Sequence, residues 1–228
     1  NSLYNYKLGE FKLPYNYYFR KETFRVSKLF FDKDSSILVG NHLGLWRYSG
    51  GEVKLYDPNR ELLQARITDI ASYQNNHLLL ATKGEGFLFL LNDSIIRLGF
   101  ANGLVSDNLK NILVDDNRIW LASNNGLSIV TINSLTPFQY NIQNITLKDG
   151  LLSNEVNSML DIGDNVVVGT NNGISYIDKK EVFEKQLKAL PLLIRSVQIN
   201  NRVVQEDQLL HLNYLNRSLN ISFEALNY

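Results

Sequence analysis

The sequence predicts an all-β protein made of β-propeller blades, followed by the first strands of a β-sandwich. Three observations support this fold class. A unit of about 40 residues recurs along the chain, and each copy contains short apolar segments separated by polar turns. Asparagine, which forms turns readily, accounts for 28 of the 228 residues. The longest purely apolar run is the five residues from Phe87 to Leu91, which is too short to span a bilayer as a helix.

The centre of each repeat is a pair of short strands, B and C, joined by a polar turn that ends in glycine. Four copies of this centre cover residues 37–48, 78–90, 119–130 and 166–177. The position after strand B is occupied by Gly40, Ala81, Ala122 and Gly169, and the position after the turn by Gly44, Gly86, Gly126 and Gly173. A glycine after the turn predicts a positive φ at a place where a side chain would clash.

Two further strands complete each unit, so a blade would contain four antiparallel strands, A to D. Strand A precedes the centre, at residues 26–32, 67–73, 109–115 and 156–162. Strand D follows the centre, at residues 52–56 and 94–98, near 138–145 and, as a weaker prediction, near 182–187. Because one blade cannot bury both of its faces, neighbouring blades should stack on each other.

The N-terminal segment matches the second half of a blade. Residues 3–13 align with residues 45–55, so the chain would begin with strands C and D only. We therefore expect residues 1–188 to form propeller blades, the first of them incomplete, that belong to a longer propeller. A complete ring of four or five blades is the alternative.

Charge and composition exclude several kinds of function. Lys plus Arg and Asp plus Glu each total 23, so a net charge of zero gives no drive for binding nucleic acid or an anionic membrane surface. The absence of cysteine excludes disulfides, cysteine nucleophiles and thiolate metal sites. The three histidines, His42, His77 and His211, are far apart, so we expect no metal site and no cofactor.

We also expect this chain to have no enzymatic activity. Hydrolysis of a glycoside needs two convergent carboxylates. Glu85, Asp107 and Glu155 are predicted on one face, but they come from different repeats and no motif joins them. A G-x-S-x-G nucleophile motif and a phosphate-binding loop are both absent from the sequence.

The candidate ligand site is the face that carries the B–C turns and the D–A connections, which emerge on the same side of a four-stranded meander. Their amide and hydroxyl groups both donate and accept hydrogen bonds, which suits a neutral polyol. A purely turn-forming role for these residues is the alternative. The predicted ligand-binding residues are Asn41, His42, Asn124, Asn125, Asn171 and Asn172.

Several of these repeats resemble the regulator-propeller repeat of bacterial two-component sensors. The matching residues are Asp149, Gly150, Leu151, Ser153 and Asn154 in a DGL-S-N turn, Trp120, Gly169 and Thr170 in strand B, and Gly44, Leu45, Arg47 and Tyr48 in strand C. The first complete repeat departs from the pattern and has residues 57–66 in place of the turn. Residues 190–228 resemble the start of the triple-tyrosine (Y_Y_Y) domain, so we predict a second, truncated β-sandwich domain over residues 189–228.

The resemblance implies the ligand-sensing region of a two-component sensor histidine kinase, at the periplasmic or extracellular face of the inner membrane. It implies a small-molecule or oligosaccharide ligand derived from carbohydrate, and we expect a homodimer anchored through segments outside this chain. We predict a signalling hinge over Lys179 to Leu193, where the blade pattern ends. A protein-interaction or dimerisation scaffold and a lectin-like carbohydrate-binding propeller are the alternatives.

Overall fold

The computed structural model describes residues 5–7, 10–12, 25–32, 34–50, 52–74, 77–91, 93–184, 192–200, 202–204 and 218–225. The chain divides into two compact units, Asn1–Asp178 and Lys179–Tyr228. The predicted domain boundary between residues 188 and 189 lies outside the described residues and stays a prediction.

Small antiparallel sheets make up the first unit, which confirms the predicted all-β fold class. Within each sheet the strands follow one another in sequence order, as in a propeller blade. Blade 1 contains β1 (Asn5–Lys7) and β2 (Glu10–Lys12), and blade 2 contains β3 (Val26–Phe31), β4 (Ile37–Asn41), β5 (Gly44–Ser49) and β6 (Glu52–Leu55). Blade 3 contains β7 (Ile67–Tyr73), β8 (His77–Thr82), β9 (Phe87–Leu91) and β10 (Ser94–Leu98). Blade 4 contains β11 (Leu109–Asp115), β12 (Arg118–Ser123), β13 (Leu127–Leu135) and β14 (Phe138–Ile145), and blade 5 contains β15 (Val156–Asp161), β16 (Asn165–Thr170) and β17 (Gly173–Asp178).

Blade 5 departs from the predicted four-strand pattern. Among the described residues its sheet has three strands, and the chain then forms helix α1 (Lys179–Glu184) where the weak strand D was predicted near residues 182–187. That prediction is therefore wrong over residues 182–184. Four of the six residues of α1 are Lys or Glu, which favour a helix over a strand. The rest of the predicted strand, and residues 185–191 of the predicted hinge, lie outside the described residues.

Apolar side chains from facing sheets form the core between neighbouring blades. Leu38 and Leu45 of blade 2 belong to one buried cluster with Ile70, Leu80 and Leu88 of blade 3. A second cluster joins blades 3 and 4, and it includes Leu79, Ala81, Phe87, Phe89, Ile112, Leu121 and Val130. Each fully buried Leu, Ile, Val or Phe side chain in these clusters stabilises the fold by about 1.5–3 kcal/mol. Stacking of blades therefore supplies the core that one sheet lacks.

Every strand A of blades 2 to 5 contains a β-bulge at the same position. The pairing register with strand B shifts between Val26 and Lys28, Ile67 and Asp69, Leu109 and Asn111, and Val156 and Ser158. The extra residues at the bulges are Ser27, Thr68, Lys110 and Asn157. A bulge places two adjacent residues opposite one partner residue. Two consecutive polar side chains therefore occur here, and the side chains in the rest of the strand still point to the same faces of the sheet.

The residues that follow the bulges connect blades 2 to 5 by polar contacts. Lys28 Nζ lies 2.8 Å from Asp69 Oδ1. Asn111 Nδ2 donates a hydrogen bond of 2.6 Å to Asp69 Oδ2. The backbone N–H of Met159 donates to Asn111 Oδ1 at 3.2 Å. These contacts supplement the apolar packing along the first strand of each blade.

In the part of the second unit that the structure describes, α1 is followed by an antiparallel sheet of three strands. These are β18 (Leu192–Ile199), β19 (Arg202–Val204) and β20 (Leu219–Ala225), with β18 in the centre. Ile194 pairs with Phe223 and Val197 with Ile221, which places apolar side chains on one face of the sheet. A sheet with one apolar face is typical of half of a β-sandwich. No helix in the described ranges is long and apolar enough to cross a membrane.

Candidate functional site

The B–C turns of blades 2 to 5 share a glycine with a positive φ. The φ angles of Gly44, Gly86, Gly126 and Gly173 are 117°, 73°, 129° and 128°. A Cβ atom added to Gly44 would overlap the carbonyl oxygen of Leu63, and one added to Gly86 would overlap that of Leu98. This confirms that the repeated glycine is required both by its backbone conformation and by the closeness of the next connection.

The side chain that opens each B–C turn also closes it with hydrogen bonds. The hydroxyl of Thr82 donates to the carbonyl oxygen of Gly86 at 2.7 Å and accepts from the N–H of Glu85 at 3.0 Å. The hydroxyl of Ser123 donates to Gly126 at 2.8 Å and accepts from Asn125 at 3.1 Å. Hydroxyl and amide side chains at this position thus fix the shape of the turns.

The D–A connections at residues 99–108 and 146–155 repeat one conformation. Each begins with a short 3-10 helix, Phe100–Asn102 or Leu147–Asp149, and each helix ends at a glycine with a φ of 107°. The following leucine, Leu104 or Leu151, is buried. The NGL and DGL motifs therefore combine a glycine that terminates the helix with a leucine that anchors the connection in the core.

The second half of each connection is held by side-chain hydrogen bonds at equivalent positions. Asp107 Oδ1 accepts from the N–H of Phe100 at 2.8 Å, and Asn154 Oδ1 accepts from the N–H of Leu147 at 2.7 Å. The carbonyl oxygen of Asp107 also accepts from the N–H groups of Gly84 and Gly86, at 3.0 and 3.1 Å. These last bonds join a B–C turn to the next D–A connection on one face, which we call the turn face.

The two predicted ligand-binding residues of blade 2 are largely withdrawn from solvent. Asn41 has no exposed surface, and its Oδ1 accepts from the N–H of Leu43 at 2.6 Å. Its Nδ2 has no hydrogen-bond partner among the described residues. His42 is half-buried, and its Nδ1 is buried without a partner in the same part of the chain. Asn41 therefore shapes its own turn and presents no side-chain surface to a ligand in this conformation.

The predicted residues of blade 4 are exposed on the turn face. Asn124 Oδ1 accepts from the hydroxyl of Ser106 at 3.0 Å, which ties this turn to the D–A connection that precedes blade 4. Asn125 donates its backbone N–H to Ser123 and is exposed. Its side chain thus remains accessible beside a turn of fixed shape.

The predicted residues of blade 5 take part in a larger polar group. Asn171 Oδ1 accepts from Asn157 Nδ2 at 2.7 Å, and Asn171 Nδ2 donates to Glu155 Oε2 at 2.5 Å. Asn172 Nδ2 donates to the carbonyl oxygen of Leu152 at 3.2 Å. Within the described residues, the hydrogen bonds of the six predicted residues do not join one B–C turn to another.

Sequence reasoning missed Lys110 and Asn157, which lie at the bulges of β11 and β15. Lys110 Nζ donates to Glu155 Oε1 at 2.9 Å and to Asn157 Oδ1 at 2.8 Å, so these residues bring blades 4 and 5 together at the turn face. A signal for them is present in the sequence. Two consecutive polar residues occur at the same place in strand A of four repeats, whereas regular alternation would place one polar residue on each side of an apolar residue.

The three carboxylates considered for catalysis each contact a hydrogen-bond donor. Glu85 pairs with Arg97 at 3.1 Å, Asp107 accepts from Phe100, and Glu155 pairs with Lys110 at 2.9 Å. Over the described ranges, no group of three or more His, Asp or Glu side chains is arranged to hold a metal ion.

Comparison with known proteins found similar folds among solved structures. The extracellular domain of BT3049 from B. thetaiotaomicron, which is assigned as a hybrid two-component system, matches with a TM-score of 0.61 and 17% identity, over 88% of this chain and 29% of that chain. The extracellular domain of BT4673 from the same organism, also assigned as a hybrid two-component system, matches with a TM-score of 0.54 and 22% identity, over 68% of this chain and 20% of that chain. The computationally designed protein Ika4 matches with a TM-score of 0.51 and 17% identity, over 70% of this chain and 94% of that one.

No protein-family model and no curated protein matched the chain, so the regulator-propeller and Y_Y_Y resemblances stay predictions. The chain spans less than a third of the length of the two extracellular domains. What these similarities establish is a shared all-β fold.

Proposed function

We propose that this chain is part of the extracellular or periplasmic ligand-sensing region of a two-component sensor, and that the turn face contacts the ligand. The observation that carries the proposal is the repeated construction of this face. Its B–C turns and D–A connections are fixed by internal hydrogen bonds, yet Asn124, Asn125, Asn171 and Asn172 remain exposed. Polar groups that are held in place before binding lose little conformational entropy when a ligand arrives.

The fold supports the same proposal. Two of the similar structures are extracellular domains of proteins assigned as hybrid two-component systems, and the likeness covers most of this chain. In such an arrangement the blades recognise the ligand without catalysis, and the kinase lies elsewhere in the protein. Since apolar clusters fill the space between blades, we expect the signal to arise from movement of whole units.

We propose a carbohydrate-derived ligand for this face. Amide side chains supply both donors and acceptors, which match the hydroxyl groups of a sugar. The net charge of zero gives the chain no general attraction for polyanions. A homodimer of the sensor and a hinge over residues 179–193 are further parts of this proposal.

The test is direct binding to an array of neutral, uronic-acid-containing and sulfated oligosaccharides, followed by calorimetry and thermal unfolding with each hit. We expect at least one saccharide to bind and to raise the Tm. A ligand at a concentration 100 times its Kd adds about 2.7 kcal/mol to the free energy of unfolding. If no saccharide of any class binds, a carbohydrate-sensing role is excluded.

A protein-interaction scaffold is a second candidate, favoured by an apolar face on blade 5. Leu160, Ile174 and Tyr176 lie on the same side of its sheet and are 62%, 59% and 71% exposed. Large exposed apolar patches mark contact surfaces. Sedimentation velocity of the chain and of an Ile174→Lys variant tests this role, because an interaction through this face would appear as a larger species that the variant lacks.

A further inference from the structure

A group of polar side chains on the turn face crosses between blades 4 and 5. Lys110 of blade 4 contacts both Glu155 and Asn157, and Asn171 contacts the same two residues from the B–C turn of blade 5. We call these four residues the junction cluster. Four hydrogen bonds of 2.5 to 2.9 Å close them into a ring.

The equivalent place between blades 3 and 4 is built differently. Repeat alignment puts Thr68 at the position of Lys110, Asn108 at that of Glu155, and Asn124 at that of Asn171. There the Thr68 hydroxyl donates to the backbone of Leu109 at 3.0 Å, and Asn124 is engaged by Ser106. The closed ring is therefore absent from the described junction of blades 3 and 4, and the repeated backbone does not require it.

We propose that the junction cluster is the saccharide contact of the turn face and that it selects neutral sugars through a pair of neighbouring hydroxyl groups. The proposal rests on the sensing function proposed above and assigns its ligand to one place and one charge class. To Asn171, which the sequence predicted as a ligand-binding residue, it adds Glu155, which the sequence placed on this face without a ligand role, and Lys110 and Asn157, which the sequence did not indicate.

Hydrogen-bonding capacity supports this assignment. After the bonds within the ring, the amide groups of Asn157 and Asn171 each retain one N–H, and the ammonium group of Lys110 retains a third. Both oxygens of the Glu155 carboxylate retain an acceptor site. The cluster thus offers donors and acceptors side by side, and a sugar hydroxyl, which both donates and accepts, can use one of each.

Charge decides between neutral and acidic sugars. Lys110 and Glu155 form an ion pair at 2.9 Å, and their side chains are 30% and 47% exposed, so the pair is accessible and has no net charge. An acidic sugar would bring its carboxylate or sulfate close to the Glu155 carboxylate, and the positive charge that would attract it is already paired. Repulsion at short range in a partly desolvated place disfavours that ligand.

The ring also holds its members before a ligand arrives. Lysine and glutamate lose substantial rotamer entropy when they are fixed. Here the mutual hydrogen bonds have fixed them in the unbound protein, so binding has less disorder to remove. This distinguishes the cluster from exposed polar residues without side-chain partners.

The experiment uses the same oligosaccharide array with the chain and with five variants. These are Asn171→Ala, Glu155→Ala, Glu155→Gln, Asn124→Ala and the control Asn117→Ala. In Asn171→Ala and Glu155→Ala the ring is broken, and we expect at least tenfold weaker binding of the best neutral saccharide by calorimetry. In Glu155→Gln the cluster gains a net positive charge, so we expect the ratio of acidic to neutral binding to rise. Asn117→Ala is the control, because this exposed asparagine lies in the A–B turn of blade 4, away from the turn face.

The array distinguishes failure of this inference from failure of the sensing function. Two results would overturn the junction cluster and leave a carbohydrate sensor in place. One is binding of acidic saccharides alone. The other is weaker binding in Asn124→Ala together with unchanged binding in Asn171→Ala. Absence of binding to every saccharide overturns both. Circular dichroism and the Tm of each variant separate loss of binding from loss of fold.

Discussion

Asp69, on the first strand of blade 3, accepts a 2.6 Å hydrogen bond from the side chain of Asn111 on the first strand of blade 4. The same carboxylate accepts from the N–H of Ile112 at 2.9 Å and pairs with Lys28 of blade 2 at 2.8 Å. Its side chain is only 4% exposed. One carboxylate therefore connects three consecutive blades, and its contacts lie where apolar packing is interrupted by the bulge.

Removing this carboxylate should destabilise the blades. In Asp69→Ala, Asn111 Nδ2 and the N–H of Ile112 lose their acceptor, and we expect a loss of about 2–4 kcal/mol in the free energy of unfolding. Urea unfolding measures it. A double-mutant cycle with Asn111→Ala should show a coupling of about 1–2 kcal/mol, and a cycle with the remote Asn117→Ala should be additive within about 0.5 kcal/mol. Additivity in both cycles would contradict a direct hydrogen bond between Asp69 and Asn111.

Gly84 and Gly86, in the B–C turn of blade 3, should respond differently to alanine. Both have a positive φ, but a Cβ atom on Gly84 would meet nothing within 4 Å, whereas one on Gly86 would overlap the carbonyl oxygen of Leu98. We expect Gly84→Ala to cost about 1 kcal/mol from backbone strain alone. Gly86→Ala should cost about 1–3 kcal/mol more, because the neighbouring connection must move. Thermal unfolding of both variants provides the comparison. Equal losses in the free energy of unfolding would show that the connection after Leu98 moves away from the added Cβ without cost.

The repeated D–A connections predict which substitution is tolerated at residue 107. Asn154 performs in one connection the role that Asp107 performs in the other. Asp107→Asn should therefore change stability by less than about 0.5 kcal/mol. Asp107→Ala leaves the N–H of Phe100 without its acceptor and should cost about 1 kcal/mol. A larger effect of the asparagine variant than of the alanine variant would mean that the charge, and not the hydrogen bond, is needed.

Tyr73 should ionise at a higher pH than a solvent-exposed tyrosine side chain. Burial raises the pKa of Tyr73, which is 3% exposed and packs against Phe89 with ring centroids 5.8 Å apart. Because the folded-state pKa lies above the unfolded-state value near 10, the protonated ring stabilises the fold fully below pH 10, and this contribution is lost as pH rises through the folded pKa. Absorbance titration at alkaline pH should show a tyrosine transition above the ordinary range, and Tyr73→Phe should remove it. A titration that is unchanged in the variant would contradict this assignment.

Repetition is what made the blades predictable from sequence. The glycines of the B–C turns and the leucines of the D–A connections recur because the same backbone conformation and the same buried place recur in each blade. Helix α1 was missed because the weak strand D was inferred from repeat spacing alone, and the local preference of Lys179–Glu184 for a helix prevailed.

The candidate site was predictable only in part. The turn face followed from meander topology, but the burial of Asn41 depends on how the chain covers its turn, which no local pattern reveals. Lys110 and Asn157 were missed because residues at equivalent bulges differ in chemistry, so their pairing follows from the contact between blades and not from similarity between repeats.

The bulges also determine which blade can follow which. Lys28, Asp69, Asn111 and Ser158 occupy equivalent places, yet one is a cation, one an anion, one an amide and one a hydroxyl. If blades 3 and 4 exchanged places, Lys28 would face the amide of Asn111 and lose its counter-charge. The carboxylate of Asp69 would then face the backbone N–H of Met159 in blade 5. Backbones that are nearly interchangeable thus carry different polar side chains, and these favour the native neighbour of each blade over a wrong one, much as unlike polar residues favour one partner and register in a coiled coil.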